Sequence, residues 1–521
     1  MPYFLNSINE VNQFSKMTKE KFFVDKSNLI KEINNFVGTA SQYICITRPR
    51  RFGKTLNAMM LASYYSKNSD FKPVFDNLNI SNEESYLEHL NKHNVIYFTF
   101  NEIPRINCTY EEFINSYIDD LKKELKETFK TVNFEESKSL SKILKQIYDQ
   151  TNQGFIFIID EWDYIFNNKL FSDFERENFL QFLKDLLKDK PYVELAYMTG
   201  VLPIAKYSSG SALNMFVEFN IINDYKYDSF FGFTTNEVEN LCSKQNKLLL
   251  ENLKDWYNGY ITCNNLQIYN PRSVVLALSQ GVCQSYWTNT GPMDEILHYV
   301  SNDIDTVKND IIQMTAGIPV EIKLKGYGAE QIELTNRNQI LSAMTIFGFL
   351  SYCNEKLMIP NKELRIKFDE ALEDKSMGAV SELIFKSNEM LNATLRKDTE
   401  TMAKIIQEAH DLNVPIIKYN DENSLACIIT LVYLSARSKY NIVREMPTGI
   451  GFADFIFFPI DKSKPAFILE LKKDSTPDKA LQQIKEKRYA LALKDYMGSK
   501  FAVGISYDSR LKQHLVEIED I

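Results

Sequence analysis

Gly53, Lys54 and Thr55 close the run Arg48-Pro49-Arg50-Arg51-Phe52-Gly53-Lys54-Thr55, and they are the residue types that grip a triphosphate. The run follows an apolar stretch, Tyr43 to Thr47, and leads into helically spaced residues from Leu56 to Tyr65. A strand, a glycine turn and a helix start aim backbone N–H groups at anionic oxygens. Lys54 would reach the terminal phosphates, and the Thr55 hydroxyl a Mg²⁺ ion. Arg50, Arg51, Phe52, Gly53, Lys54 and Thr55 therefore form the candidate phosphate loop. Arg48 stands where the usual pattern has its first glycine. Whether Arg48, Arg50 and Arg51 touch phosphate, line an interface or are solvated stays open on sequence alone. The apolar run Phe155 to Ile159 ends in Asp160-Glu161, as does a central parallel strand that delivers acids beside such a loop. Asp160 is the expected Mg²⁺ residue, directly or through water, and Glu161 the one that orients an attacking water. Asp163 is a further acid on that turn. Thr199, ending a later strand, is placed to sense a γ-phosphate. A basic turn and strand-end polar caps are the competing structural readings.

The second set is Gly451-Phe452-Ala453-Asp454 with Phe467-Ile468-Leu469-Glu470-Leu471-Lys472. Glu470 and Lys472 are two apart on a strand and share a face. Asp454 and Glu470 can jointly hold Mg²⁺ or Mn²⁺. Lys472 can position a water and stabilise charge on a scissile phosphate. Gln483, on the next helix, is a polar group for the metal or the nucleic acid. Glu422 is a candidate further metal ligand, against a plain helix-start acid, and Glu445 is equally ambiguous. Lys472, Lys473, Lys479, Lys485, Lys487 and Arg488 would make a local basic surface; a solvated helix face is the alternative. A salt-bridged strand edge competes with the whole metal reading.

Positioning two such sets takes more than one core, and 521 residues with 44% hydrophobic and 13% aromatic content can build several. A net charge of −9 excludes a global basic field, leaving a local channel as the route to nucleic acid. The seven Cys are scattered without a C-x-x-C pair, which suits reduced thiols rather than a disulfide scaffold or zinc site. No apolar stretch approaches the roughly 18–20 residues of a membrane span. Met1 to Ser7 lacks a basic region followed by a long apolar run, so a cytoplasmic protein without membrane contact is expected. Strand runs at 94–100, 155–159 and 193–198 alternate with helical pattern, which implies a mostly parallel α/β sheet. From Thr234 to residue 300 the pattern is mostly helical, and residues 300–410 are mixed. Beyond residue 420, a helix (424–438), strands at 442–445, 453–458 and 466–471, a helix (478–493) and a strand (501–506) are expected.

These residues together resemble a bacterial family of AAA-ATPase-like proteins with a C-terminal PD-(D/E)XK nuclease-superfamily domain. The resemblance covers nearly the whole chain. It runs through Phe23-Val24-Asp25-Lys26, the phosphate loop, Ile159-Asp160-Glu161-Trp162-Asp163, Met198-Thr199-Gly200, Tyr269-Asn270-Pro271-Arg272-Ser273, Tyr419-Asn420-Asp421-Glu422-Asn423, Gly451 to Asp454, Glu470 to Lys472 and Gln483 to Lys487. The family's own loop carries Arg-Pro in place of the first glycine. The resemblance implies a P-loop NTPase parallel sheet (residues 1–232) with a helical lid (233–300). A mixed α/β or helical middle domain (301–412) and a small nuclease-like α/β domain (413–521) follow. Lys54, Thr55, Asp160 and Glu161 match the family's nucleotide positions, and Asp454, Glu470, Lys472 and Gln483 its nuclease positions.

The expected function is ATP binding and hydrolysis with Mg²⁺, coupled to a Mg²⁺-dependent nucleic-acid phosphodiesterase, in phage defence or mobile-element biology. DNA is favoured over RNA as partner, and a homo-oligomer is expected. One alternative is a nucleotide-gated switch whose C-terminal domain binds nucleic acid or protein without cutting. Another is an ATPase whose partner is protein.

Overall fold

The structure is a computed structural model and describes residues 3–67, 71–101, 108–133, 138–168, 170–204, 212–287, 307–324, 334–374, 379–411 and 422–521. The chain divides into two compact units. The first takes Met1–Gly291, Lys323–Glu355 and Pro360–Glu363; the second takes Pro292–Ile322, Lys356–Ile359 and Leu364–Ile521.

The first unit is built on β1 (Tyr43–Thr47), β2 (Asn94–Thr99), β3 (Phe155–Asp160), β4 (Val193–Gly200) and β5 (Val217–Phe219). Their order is β2-β3-β4-β1-β5, and every pairing is parallel. Helices on the faces leave β3 buried along its whole length, which is why it reads as an unbroken apolar run. The register pairs Ile46 with Thr199 and Thr99 with Asp160, so the carboxyl ends of these strands gather where the phosphate loop leaves β1. Beyond the sheet, β6 (Phe233–Thr234), β7 (Tyr260–Ile261) and β8 (Gln267–Tyr269) make a small antiparallel sheet. It carries the helices Thr235–Cys242, Leu250–Tyr257 and Pro271–Gln280. Their shared core includes Val238, Leu253, Tyr257, Val274 and Leu278. The short β10 (Ser351–Cys353) also belongs to this unit, whereas the equally short β9 (Val320–Glu321) and β11 (Lys356–Met358) belong to the second.

In the second unit, β12 (Tyr440–Thr448), β13 (Gly451–Pro459), β14 (Ala466–Lys473), β15 (Lys500–Asp508) and β16 (Gln513–Asp520) form a sheet in sequence order. Only β14 and β15 run parallel, joined by the crossover helix Pro477–Glu486. That helix packs on Ala453, Ile456, Ile468 and Ala502 through Leu481 and Ile484. It lies so close that a Cβ on Gly504 would meet the Pro477 carbonyl oxygen at 2.4 Å. The expected helix over 478–493 stops at Glu486. Arg488 takes a left-handed conformation, φ 56°, and Tyr489–Leu493 continue as a 3-10 turn. The helix expected over 424–438 is Glu422–Val432 followed by a 3-10 turn, Leu434–Ser438.

Candidate functional site

Helix Lys54–Tyr65 starts on Gly53 at φ 92°, and Arg51 just before it sits at φ 72°. Only a residue without Cβ adopts the first cheaply, and strain of the second kind gathers where a loop must wrap a ligand. The Lys54 ammonium folds back to donate to the carbonyls of Arg48 and Pro49, both at 2.9 Å. Burial holds its pKa down to about 8, partly offset by Asp163, Asp160 and Glu161. Asp160 is 1% exposed. Burial pushes it up to about 6, against a hydrogen bond from Thr55. Thr55 and Asp160 are thus in contact. Glu161 follows at φ 50°, a left-handed conformation rare for a side chain of its kind.

These groups open on a cavity of about 890 Å³. Lys54, Thr55, Glu161, Arg50, Arg51 and Arg272 line its polar part, and Phe22, Phe23, Val24, Phe230, Phe233 and Leu276 an apolar wall. Burial, with Arg272 and Arg50 as neighbours, lowers the pKa of Arg51. A cavity that holds like charges together is shaped for an anion. Arg272 was not singled out by sequence reasoning. Asn270-Pro271 was the available signal: a capping Asn followed by Pro at the first helical position puts Arg272 in a helix's first turn. That turn is fixed, because Asn270 accepts from the Ser273 amide at 3.2 Å and the Ser273 hydroxyl donates to Glu363 at 2.9 Å. Glu363 also accepts from the amides of Tyr286 and Trp287.

Arg48 does not face the cavity. Its guanidinium pairs with Asp224, donates to the carbonyls of Thr47 and Phe219, and lies 5.0 Å from the Phe231 ring centroid. With Arg48 4% and Asp224 2% exposed, the residue in place of the first glycine is a structural clamp. Arg48→Gly, which restores the common pattern, is therefore expected to destabilise the first unit by about 3 kcal/mol by stranding a buried carboxylate. Thermal unfolding of the two proteins measures it. Thr199 is also placed differently from the expectation. It is fully buried, and its hydroxyl donates to the Ile46 carbonyl at 2.8 Å, so Gly200 and Val201 line the cavity instead. Asp163 accepts from the amides of Val201 and Leu202 at 3.1 and 2.8 Å, a fastening for the end of β4.

The second set converges where strands part. β13 pairs with β14 only from Phe455↔Leu469 to Phe457↔Phe467, while β14 continues with β15 to Lys473↔Tyr507. In the resulting fork the Asp454 carboxylate accepts from the Leu471 amide at 2.7 Å, and Glu470 accepts from the Asp454 amide at 3.4 Å. Lys472 donates to Glu470 at 3.1 Å and to the Leu471 carbonyl at 3.0 Å. Gln483 donates to Glu470 and, at 3.3 Å, to the Tyr489 hydroxyl. Burial and the neighbouring Asp454 push Glu470 up to about 7, against the pull of Lys472. Tyr489 was missed as a member because its place depends on the helix break at Arg488. Glu445 is not brought in: it pairs with Arg444 at 3.0 Å and is 64% exposed. Glu422 begins its helix, but its side chain lies outside the described residues, as do Tyr419, Asn420 and Asp421. Of the expected basic surface, Lys485 pairs with Glu519 at 2.7 Å. Among the described residues no group of three or more His, Cys, Asp or Glu converges. The fork therefore offers two hard carboxylates, and a cation there would complete its shell with water, phosphate or backbone oxygen.

Residues 9–209 match the family model of a predicted AAA-ATPase. Residues 420–515 match that of the PD-(D/E)XK nuclease superfamily. No curated protein matches the chain. Among solved structures, a Walker-type ATPase of Pyrococcus abyssi is 12% identical, with 66% of this chain and 94% of that one covered at a TM-score of 0.33. The ORC2 protein of Aeropyrum pernix, in ADPNP–ADP complexes, is 10% identical, with 66% and 91% covered at 0.31. At such scores neither likeness carries an argument. Among the described residues no helix is long and apolar enough to cross a membrane.

Proposed function

We propose that this chain, which carries a predicted AAA-ATPase domain and a PD-(D/E)XK nuclease-superfamily domain, binds and hydrolyses ATP and cuts nucleic acid under control of the nucleotide. The supporting observation is the meeting of Asp454, Glu470, Lys472 and Gln483 at one fork, in a chain whose other unit holds a phosphate loop over a cavity. In that cavity Lys54, freed from its two carbonyls, takes the terminal phosphates, and the apolar wall takes the base. Mg²⁺ on Thr55 and Asp160 would neutralise charge between the outer phosphates. Glu161 orients the water, and Arg50, Arg51 and Arg272 draw the anion.

At the fork, a divalent cation on Asp454 and Glu470, Mg²⁺ or Mn²⁺, would supply Lewis acidity toward the phosphodiester. Lys472 lends its proton-rich head to the phosphate oxygens, and Gln483 keeps Glu470 in place. The partner in this reading is nucleic acid, DNA before RNA. Purified protein with ATP, Mg²⁺ and labelled DNA and RNA tests it. Wild type is expected to yield products that Lys472→Ala does not. Equal products from both would remove the nuclease and leave a nucleotide-gated binder.

A further inference from the structure

Ile450 and Phe452 are 67% and 62% exposed, yet the turn that carries them is pinned by specific bonds. Between β12 and β13, Gly449 takes φ 58°, and a Cβ there would meet the Lys487 carbonyl oxygen at 1.8 Å. The Ile450 amide donates to that same oxygen at 2.9 Å, and the Thr448 hydroxyl to the Tyr489 carbonyl at 3.4 Å. The hairpin tip is thus clamped to the end of the helix that brings in Gln483. These bonds hold the exposed apolar pair at a fixed place on the surface.

Phe452 is two residues, or about 7 Å, along β13 from Asp454. That is the distance from a backbone phosphate to the base of the adjoining nucleotide. Lys487 and Arg488, which carry the clamp, are exposed, and their side chains have no hydrogen bond or ion pair among the described residues. The nearby acids are engaged: Glu445 with Arg444 at 3.0 Å, and Glu486 with Gln482 at 2.7 Å. One aromatic ring and one aliphatic side chain are far too small for a stable protein interface, which needs about 1,000 Å² or more. One nucleobase covers one ring, and cations beside it suit the flanking phosphates.

We infer that Phe452, backed by Ile450, is a stacking platform for an unpaired base next to the phosphate held at the Asp454–Glu470 fork. The substrate class is then single-stranded or locally unpaired nucleic acid rather than intact duplex. This deepens the nuclease reading and rests on it.

The test uses the full-length chain carrying Lys472→Ala, with Ca²⁺ in place of Mg²⁺, and a short single-stranded DNA containing 2-aminopurine. Binding is expected to quench the probe. Adding Phe452→Ala is expected to relieve the quench and weaken binding about ten- to a hundredfold, the worth of one stacked base, and Phe452→Tyr to restore both. Affinity for the matching duplex should change less than twofold. Unchanged quench and affinity in Phe452→Ala overturn the inference, as does equal weakening of single strand and duplex. Self-association of the wild type that Phe452→Ala abolishes, with DNA binding untouched, would assign the patch to a second copy and also overturn it. Failure of the nuclease reading is separate: it shows as Mg²⁺-dependent products that Lys472→Ala leaves unchanged.

Discussion

Lys54→Ala is expected to lower ATP hydrolysis about a thousandfold, the upper range for removing one fixed cation from developing phosphate charge. ATP affinity should fall as well, because the same ammonium meets the phosphates in the ground state. The structure argues that this loss is not a folding defect. Lys54 is 8% exposed, donates to the carbonyls of Arg48 and Pro49, and is held down to about 8 by burial. A lysine whose folded pKa is lowered binds its proton less well than in the unfolded chain, so its charge opposes folding in full below about pH 8, and the opposition fades as pH rises from there toward the ordinary lysine value of 10.5. The melting temperature of Lys54→Ala at pH 7 should therefore match or exceed that of wild type. ATP reverses the sign by placing negative charge against the ammonium, so binding at pH 8 to 9 should take up a proton. Calorimetry in buffers of different ionisation enthalpy reads that uptake, and Lys54→Ala should abolish it.

The same residue shows what a sequence reveals and what it hides. The strand–loop–helix around Lys54 was legible because each part is local: an apolar run, a glycine, a helical period. β3 with Asp160 was legible because a strand buried on both faces leaves no polar residue in its run. The role of Arg48 was not, because its partner Asp224 is distant in sequence and becomes a neighbour only when β5, three residues long, closes the sheet edge. Arg272 belongs to the same class, since its cavity is formed by segments far apart in the chain. In the second unit the fork residues could be chosen from their alternation. Gly449, Arg488 and Tyr489 could not, because helical periodicity through residue 493 conceals a break that exists to seat a hairpin. β16 went unread because its sequence, Gln513 to Asp520, alternates weakly in polarity and only two of its residues are buried, as suits an edge strand.

Lys472→Ala is expected to lower phosphodiester cleavage about a hundred- to a thousandfold, and its pH profile should tell a catalytic loss from a structural one. Glu470 is pushed up to about 7, by burial first and Asp454 second, with Lys472 pulling the other way. Below that value the carboxyl keeps its proton and cannot serve a cation, so wild-type cleavage should fall as pH drops through 7. Raising Mg²⁺ should move the midpoint lower, because cation and proton compete for one oxygen pair. Removing the ammonium 3.1 Å away takes a counter-charge from Glu470, so the residual activity of Lys472→Ala should have its midpoint at higher pH than wild type. A merely structural lysine would leave the midpoint where it was. Stability carries the matching sign: a carboxyl raised above its unfolded value favours folding while protonated, so without metal the second unit should lose stability as pH rises from about 4.5 through 7. Mg²⁺ should restore it most at the upper end. Glu470→Gln, which mimics the protonated form, should be inactive at every pH, with melting that responds far less to pH or Mg²⁺.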